Sequence, residues 1–175
     1  MTISPKGLIY TDYDQMFADP AVEGVYISLP NAFHLPVAIK AMKAGKHVLC
    51  EKPLGMNATE VREAIEVSEK MGVLFVEASW NRWHPRTQRV HEIVRSGKLG
   101  AIKRIRTAFT YSGLDGANIR LDPTIGGGIL YDLGPYSTVA PLWLLDFPAV
   151  ENLSVQTVFH EGGVDETTRV NYRLG

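Results

Sequence analysis

Three short apolar runs, Val25–Leu29, His47–Cys50 and Val73–Val76, alternate with stretches whose apolar residues recur at helical spacing, and this alternation constrains the fold more than any other feature. Short runs rich in β-formers that end at Pro30, at Glu51-Lys52-Pro53 and at Glu77 read as buried parallel strands running into loops. Between the first two, Leu35, Ala38, Ile39 and Met42 fall on one face of a helix from Ala32 to Ala44, and Gly45 can adopt positive φ after its last turn. Between the second and third, Asn57 with Glu60 forms an N-terminal cap for a helix carrying Val61, Ala64, Ile65, Ser68 and Met71, closed by Gly72. Val90, Ile93 and Val94 mark a third helix from about Pro85 to Ser96. Strands alternating with helices of these lengths predict a parallel sheet with right-handed crossovers. Asp12 to Ala18 reads as a further short helix whose packing partners are expected outside the chain.

After Gly100 the pattern changes. Ile102 to Tyr111 alternates as an antiparallel strand with one wet face does. A Gly-rich loop follows, then one apolar helix from about Gly127 to Leu145 and two alternating stretches, Asn152 to His160 and Thr167 to Leu174. The predicted class is therefore α/β for residues 1–98 and α+β with antiparallel strands for residues 99–175.

Composition narrows the function. Lys and Arg number 18 against 19 Asp and Glu, which leaves no charge excess for nucleic acid or an acidic membrane. The first residues lack an apolar leader core and no later run approaches a membrane span, so the expectation is a protein neither exported nor embedded. Cys50 is the one cysteine; it can form no intramolecular disulfide and fits a reducing cytoplasm. The five histidines, His34, His47, His84, His91 and His160, form no recognised ligand spacing with a carboxylate, and no metal is expected.

In an open parallel sheet, ligands bind beyond the carboxyl ends of the strands. The loops there bring Asn31, His34, Glu51, Lys52, Trp80, Arg82, Trp83 and His84 to one mouth. Each has a bland reading: a helix cap for Asn31, a first-turn surface residue for His34, a solvated pair for Glu51 and Lys52, interdomain packing for the tryptophans. Their convergence on the ligand-binding edge favours a site.

Asp19-Pro20, Val25-Tyr-Ile-Ser-Leu-Pro-Asn31 with His34, Ala44-Gly-Lys-His-Val-Leu-Cys-Glu-Lys-Pro53, Arg82-Trp-His-Pro85 and Gly126-Gly-Gly-Ile-Leu-Tyr-Asp-Leu-Gly-Pro-Tyr136 occur in this order. Together they resemble the Gfo/Idh/MocA family of NAD(P)-dependent oxidoreductases, and look most like the branch of dimeric dihydrodiol and D-xylose dehydrogenases. The resemblance implies the C-terminal half of a Rossmann-type sheet followed by part of an α+β substrate domain. It implies NAD or NADP as cofactor, a small sugar, polyol or cyclic diol as substrate, and a homo-oligomer or self-associating chain. Lys52 maps onto the lysine that hydrogen-bonds the reacting hydroxyl, and Asp132 and Tyr136 map onto an Asp-x-x-x-His/Tyr pair. Residues four apart on a helix share a face, so both can reach one substrate. A phenol is a poor base below pH ~10, but an adjacent ammonium favours the phenolate, a role that falls to Lys52. Asn31, His34, Glu51, Arg82 and Trp83 are assigned by the resemblance to the ribose and nicotinamide side.

The sequence departs from the pattern of the family it resembles by lacking G-x-G-x-x-G after any strand; Gly126-Gly-Gly128 reads instead as a tight helix entry. The expectation is a chain truncated at both ends, with the pyrophosphate site absent. A rival reading is a non-catalytic relative that pairs with a full-length subunit. Backbone donors of the fingerprint turn supply much of dinucleotide affinity, so the purified chain is expected to bind NAD(P)H weakly. A fluorescence titration giving a dissociation constant in the low micromolar range (about 1–10 μM, at the tight end of the ~1 μM–1 mM range typical of enzyme KM values) would overturn this.

Overall fold

Capping chemistry sets most helix boundaries in the computed structural model, which describes residues 7–114, 116 and 118–175; residues 1–6, read above for a leader, lie outside them. Asp12 accepts from the Asp14 and Gln15 N–H groups and starts helix α1 (Tyr13–Ala18). A 3₁₀ turn over Asn31–Phe33 leads into α2 (His34–Lys43), where Pro36 sits in the first turn and no N–H is missed. Asn57 accepts from Thr59 and Glu60 N–H at 3.0 Å each and opens α3 (Ala58–Met71); Gly72, at φ 66°, ends it. His84, expected at the mouth, is the cap of α4 (Pro85–Arg95), accepting from Arg86 N–H.

Strands β1 (Gly24–Ile27), β2 (His47–Cys50) and β3 (Phe75–Glu77) pair in parallel in the order β1-β2-β3. The third begins two residues later than its apolar run, because Val73 N–H is spent on the Ser68 carbonyl at the end of α3. The core lies between the sheet and the helices. Ile27, Val48 and Cys50 meet Leu35, Ala38, Ala41 and Met42 of α2 and Ala64 of α3, and the three alanines let the two helices approach closely. The Cys50 thiol is pushed up to about 12, first by burial and then by Glu51 and Glu77.

Three expectations are corrected. The short N-terminal helix has its partners within the chain: Phe17 is 4% exposed in the same core, and Lys46 Nζ donates to the Asp19 carbonyl at 2.8 Å. Residues 102–111 form no strand, since no described residue supplies a ladder partner. The apolar segment 127–145 is two helices, α5 (Ile129–Ser137) and α6 (Ala140–Leu144). Continuing α5 would need an N–H at position 141 for the Ser137 carbonyl, and Pro141 has none. That carbonyl instead accepts from the Thr107 hydroxyl at 2.7 Å.

Strands β4 (Val150–Phe159) and β5 (Asp165–Leu174) form a separate antiparallel ribbon, with a register shift near Asn152, itself at φ 50°. Its β5 face packs on α5, and Tyr172 donates to the Thr138 carbonyl at 2.6 Å. The class is thus α/β, a three-stranded parallel sheet beside a two-stranded antiparallel one. Among the described residues no helix is long and apolar enough to cross a membrane. Replacing Phe17 by Ala should lower unfolding free energy by about 3–5 kcal/mol, read from the denaturant midpoint; a loss under about 1 kcal/mol would make α1 peripheral.

Candidate active site

Lys52 leaves the end of β2 on a loop fastened at successive positions. Glu51 accepts from the Lys52 N–H at 3.2 Å and from the Tyr26 hydroxyl at 2.6 Å. The Lys52–Pro53 peptide is cis. The Pro53 carbonyl meets His34 Nδ1 at 2.8 Å, and Leu54 N–H donates to Glu77 Oε1 at 3.1 Å. Glu77 Oε2 in turn accepts from the Ser79 hydroxyl. Three strand ends are thereby tied around one lysine.

The lysine points across to α5. Its Nζ lies 2.7 Å from Asp132 Oδ1 and 2.7 Å from the Asp132 carbonyl, with the two side chains only 12% and 16% exposed. The other carboxylate oxygen, Oδ2, accepts from Arg120 Nε at 2.6 Å, and the Tyr111 hydroxyl stands 3.4 Å from it. Burial alone would raise the Asp132 pKa; the hydrogen bonds from Arg120 and Lys52 and their charges outweigh it and hold the carboxyl below its ordinary value of 3.8. Tyr111 is pushed the other way, chiefly by burial and then by the Asp132 charge.

Tyr136, one turn along α5, sits with its ring centroid 5.1 Å from Lys52 Nζ. Its hydroxyl accepts from Trp80 Nε1 at 3.0 Å, and Phe109 lies against the ring at 5.4 Å between centroids.

Glycines let the loop before α5 approach this cluster. At Gly126, φ 83°, an added Cβ would lie 2.8 Å from Met56 Sδ and 2.9 Å from Asn31 Cβ; at Gly127 it would meet the Arg120 carbonyl at 2.7 Å. Asn31 Nδ2 donates to the Gly126 carbonyl at 2.7 Å and so binds the β1 loop to the glycine turn. A pocket of about 220 Å³ opens here, bordered by Pro30, Asn31, Glu51, Lys52, Arg120 and Asp132.

Of the eight residues given a role by the resemblance, Lys52, Asp132 and Tyr136 come together, and Asn31 and Glu51 border the pocket beside Lys52 and Asp132. The other three stand differently. His34 also lies in the wall of that pocket but is 1% exposed, with Nε2 2.7 Å from the Leu29 carbonyl and Nδ1 on that of Pro53, so it joins two loops and presents almost no surface to a ligand. Arg82 turns to Trp143 and Phe147, 5.8 and 5.7 Å from their ring centroids, and lines a second, largely apolar cavity of about 570 Å³. Trp83 is 78% exposed, and the tryptophan that reaches the cluster is Trp80. Sequence reading missed Arg120, Tyr111 and Glu77. Arg120 lies twelve residues before Asp132 in a loop without periodicity, and nothing sets it apart there from Asn118 and Asp122 beside it.

A depressed carboxyl contributes stability above the unfolded-state value, lost as pH falls through the folded-state one. The stability advantage of the native chain over Asp132→Asn should therefore be largest near neutrality and shrink as pH drops below 3.8. Denaturant midpoints of both proteins across that range provide the measurement, and a pH-independent difference would contradict an ionised Asp132.

A family model described as an oxidoreductase family NAD-binding Rossmann fold matches residues 4–79, and one described as the GFO/IDH/MocA C-terminal domain matches residues 87–175. Trans-1,2-dihydrobenzene-1,2-diol dehydrogenase of Mus musculus is 36% identical over 163 residues, 92% of this chain and 48% of the relative. D-xylose 1-dehydrogenase (NADP(+)) 2 of Haloferax volcanii is 39% identical over 140 residues, 79% of this chain and 43% of the relative. Among solved structures, the aldose-aldose oxidoreductase of Caulobacter crescentus superposes with a TM-score of 0.86 at 26% identity, covering 93% of this chain and 50% of that one. The chain spans about half the length of the curated relatives it matches. With both of its halves matched in family order, the chain belongs to the GFO/IDH/MocA oxidoreductase family.

Proposed function

We propose that this chain carries the nicotinamide-facing and substrate-facing residues of an NAD- or NADP-dependent dehydrogenase that oxidises a hydroxyl of a small sugar, polyol or cyclic diol. The observation that carries the reading is Lys52, an ammonium held at the mouth of a parallel sheet, with a phenol one helical turn from its carboxylate partner. The printed activities of the dihydrodiol and D-xylose dehydrogenases support the substrate class. In this reading the division into a cofactor unit and a substrate unit falls near residue 98.

The residues fit one end of the cofactor. A pocket of about 220 Å³ beyond the strand ends, with Lys52 and Asn31 on its border, suits a nicotinamide and its ribose. The sequence holds no glycine fingerprint for a pyrophosphate. When bound, the nicotinamide supplies the hydride acceptor. The chain's own residues handle the proton and the orientation. Two of the three Lys52 donors are spent on Asp132, and the third is left for the substrate hydroxyl. The Tyr136 oxygen, having passed its own proton to solvent, receives the hydroxyl proton, and the Trp80 N–H directed at it steadies the anionic oxygen that exists between those two transfers.

A second reading, a non-catalytic partner of a longer subunit, draws on the β4 ribbon, where Leu153, Val155, Val158 and Phe159 are exposed. Such surfaces and open strand edges favour self-association or pairing with another chain.

The two readings separate in a chain joined to the fingerprint-bearing first segment of a full-length relative and assayed with NAD⁺ or NADP⁺ and D-xylose or the dihydrodiol. Lys52→Met and Tyr136→Phe should each lower kcat by roughly 10²–10⁴ with cofactor affinity little changed. Because both act on one proton transfer, the double variant should fall no further than the worse single one. Normal turnover in Lys52→Met, or losses that multiply, would remove the Lys-Tyr unit from the mechanism.

A further inference from the structure

We propose that Arg120 is a positioning residue for Lys52, acting through Asp132: by occupying Oδ2 it confines the ammonium to Oδ1 and to the Asp132 carbonyl, and so keeps one N–H of Lys52 for the pocket. Lys52 and Arg120 each take one oxygen of the carboxylate, at 2.7 and 2.6 Å. A carboxylate facing the ammonium alone is free to turn both oxygens to it, which spends the remaining donor and quenches more of the charge. The Arg120 Nε–H on the far oxygen opposes that rotation, since turning Oδ2 toward the ammonium would break a charge-assisted hydrogen bond.

Arg120 is itself well placed to hold still. It lies in a 3₁₀ turn over Ile119–Leu121 capped by Asn118, its own carbonyl accepts from Gly128 N–H at 2.9 Å, and its guanidinium carbon lies 5.6 Å from the Tyr111 ring centroid. The same residue thus fastens both the entry of α5 and the carboxylate that α5 presents.

The other ionisable groups around Asp132 are accounted for. Tyr111 approaches Oδ2 from the loop side, and Tyr136 lies on the same helix. Asp165 of β5 is directed to the Leu130 N–H and the Thr168 hydroxyl, and Glu51 to Tyr26 and the Lys52 N–H. Arg120 and Lys52 are the cations that hold the Asp132 carboxyl below its ordinary range against its burial.

The effect on turnover rests on the dehydrogenase reading, whereas the charge coupling does not, and the experiment separates them. The Asp132 carboxyl carbon is titrated by NMR in the native chain, Arg120→Gln and Arg120→Lys, and hydride transfer is assayed for the same substitutions in the chain joined to the fingerprint-bearing segment of a full-length relative. The titration midpoint should move upward in Arg120→Gln and stay near the native value in Arg120→Lys, which keeps the charge. In an active protein kcat/KM should fall roughly 10- to 100-fold in Arg120→Gln, the range for losing a hydrogen bond to a charged group, with KM for the cofactor unchanged and partial recovery in Arg120→Lys. An unchanged midpoint in Arg120→Gln overturns the proposal. Should that variant fail to fold, a midpoint in Arg120→Lys raised to the ordinary aspartate range overturns it equally. Absence of hydride transfer in the joined chain counts against the dehydrogenase reading, while the titration still decides the role of Arg120.

Discussion

A carboxylate shared between two cations joins the two halves of this chain. Asp132 projects from α5, Lys52 comes from the end of β2, and Arg120 from the irregular segment before α5. Taking a carboxylate largely out of water is costly unless both oxygens are paired. Here both are paired, each to a different cation, so the group stays ionised and its position is defined from two directions. The placement of Tyr136 follows, because it is one helical turn away on the same rigid element.

On the sheet side, the corresponding constraint is the set of hydrogen bonds around residues 51–54. Glu51 follows β2, His34 opens α2 and Glu77 ends β3, and each holds a backbone group at or next to Lys52. Polar atoms that a sequence reading assigns to a ligand are here used to fix the backbone that presents one. His34 shows this most clearly: it stands at the carboxyl edge where ligands bind, yet both ring nitrogens face carbonyls of the chain itself.

The parallel half was legible because its signals are local. Runs of β-formers, Asn57 before α3 and Gly72 after it act within a few residues, and the elements appear where those signals put them. The misjudged segments depend on distant chain. Residues 102–111 alternate like a strand, but a strand exists only with a ladder partner; the helix over 127–145 is interrupted by one missing N–H at Pro141. For the site, Lys52, Asp132 and Tyr136 were carried by motifs and by spacing on one helix. Arg120 was invisible because its partner lies across an irregular loop, and the sequence of the loop after β3 does not say that Arg82 turns to Trp143 while Trp83 faces outward.

The bond between Lys52 and Asp132 also closes a very long loop, since the two residues stand 80 positions apart in the chain. Contacts of such high sequence separation form only after the entropy of closing the loop has been met, whereas the sheet and its crossover helices assemble from near neighbours. Folding should therefore run from the parallel half outward, with the pocket completed when α5 docks. Any lesion that delays docking will leave an ordered sheet whose lysine has no carboxylate to meet, a species with native-like secondary structure and no assembled pocket.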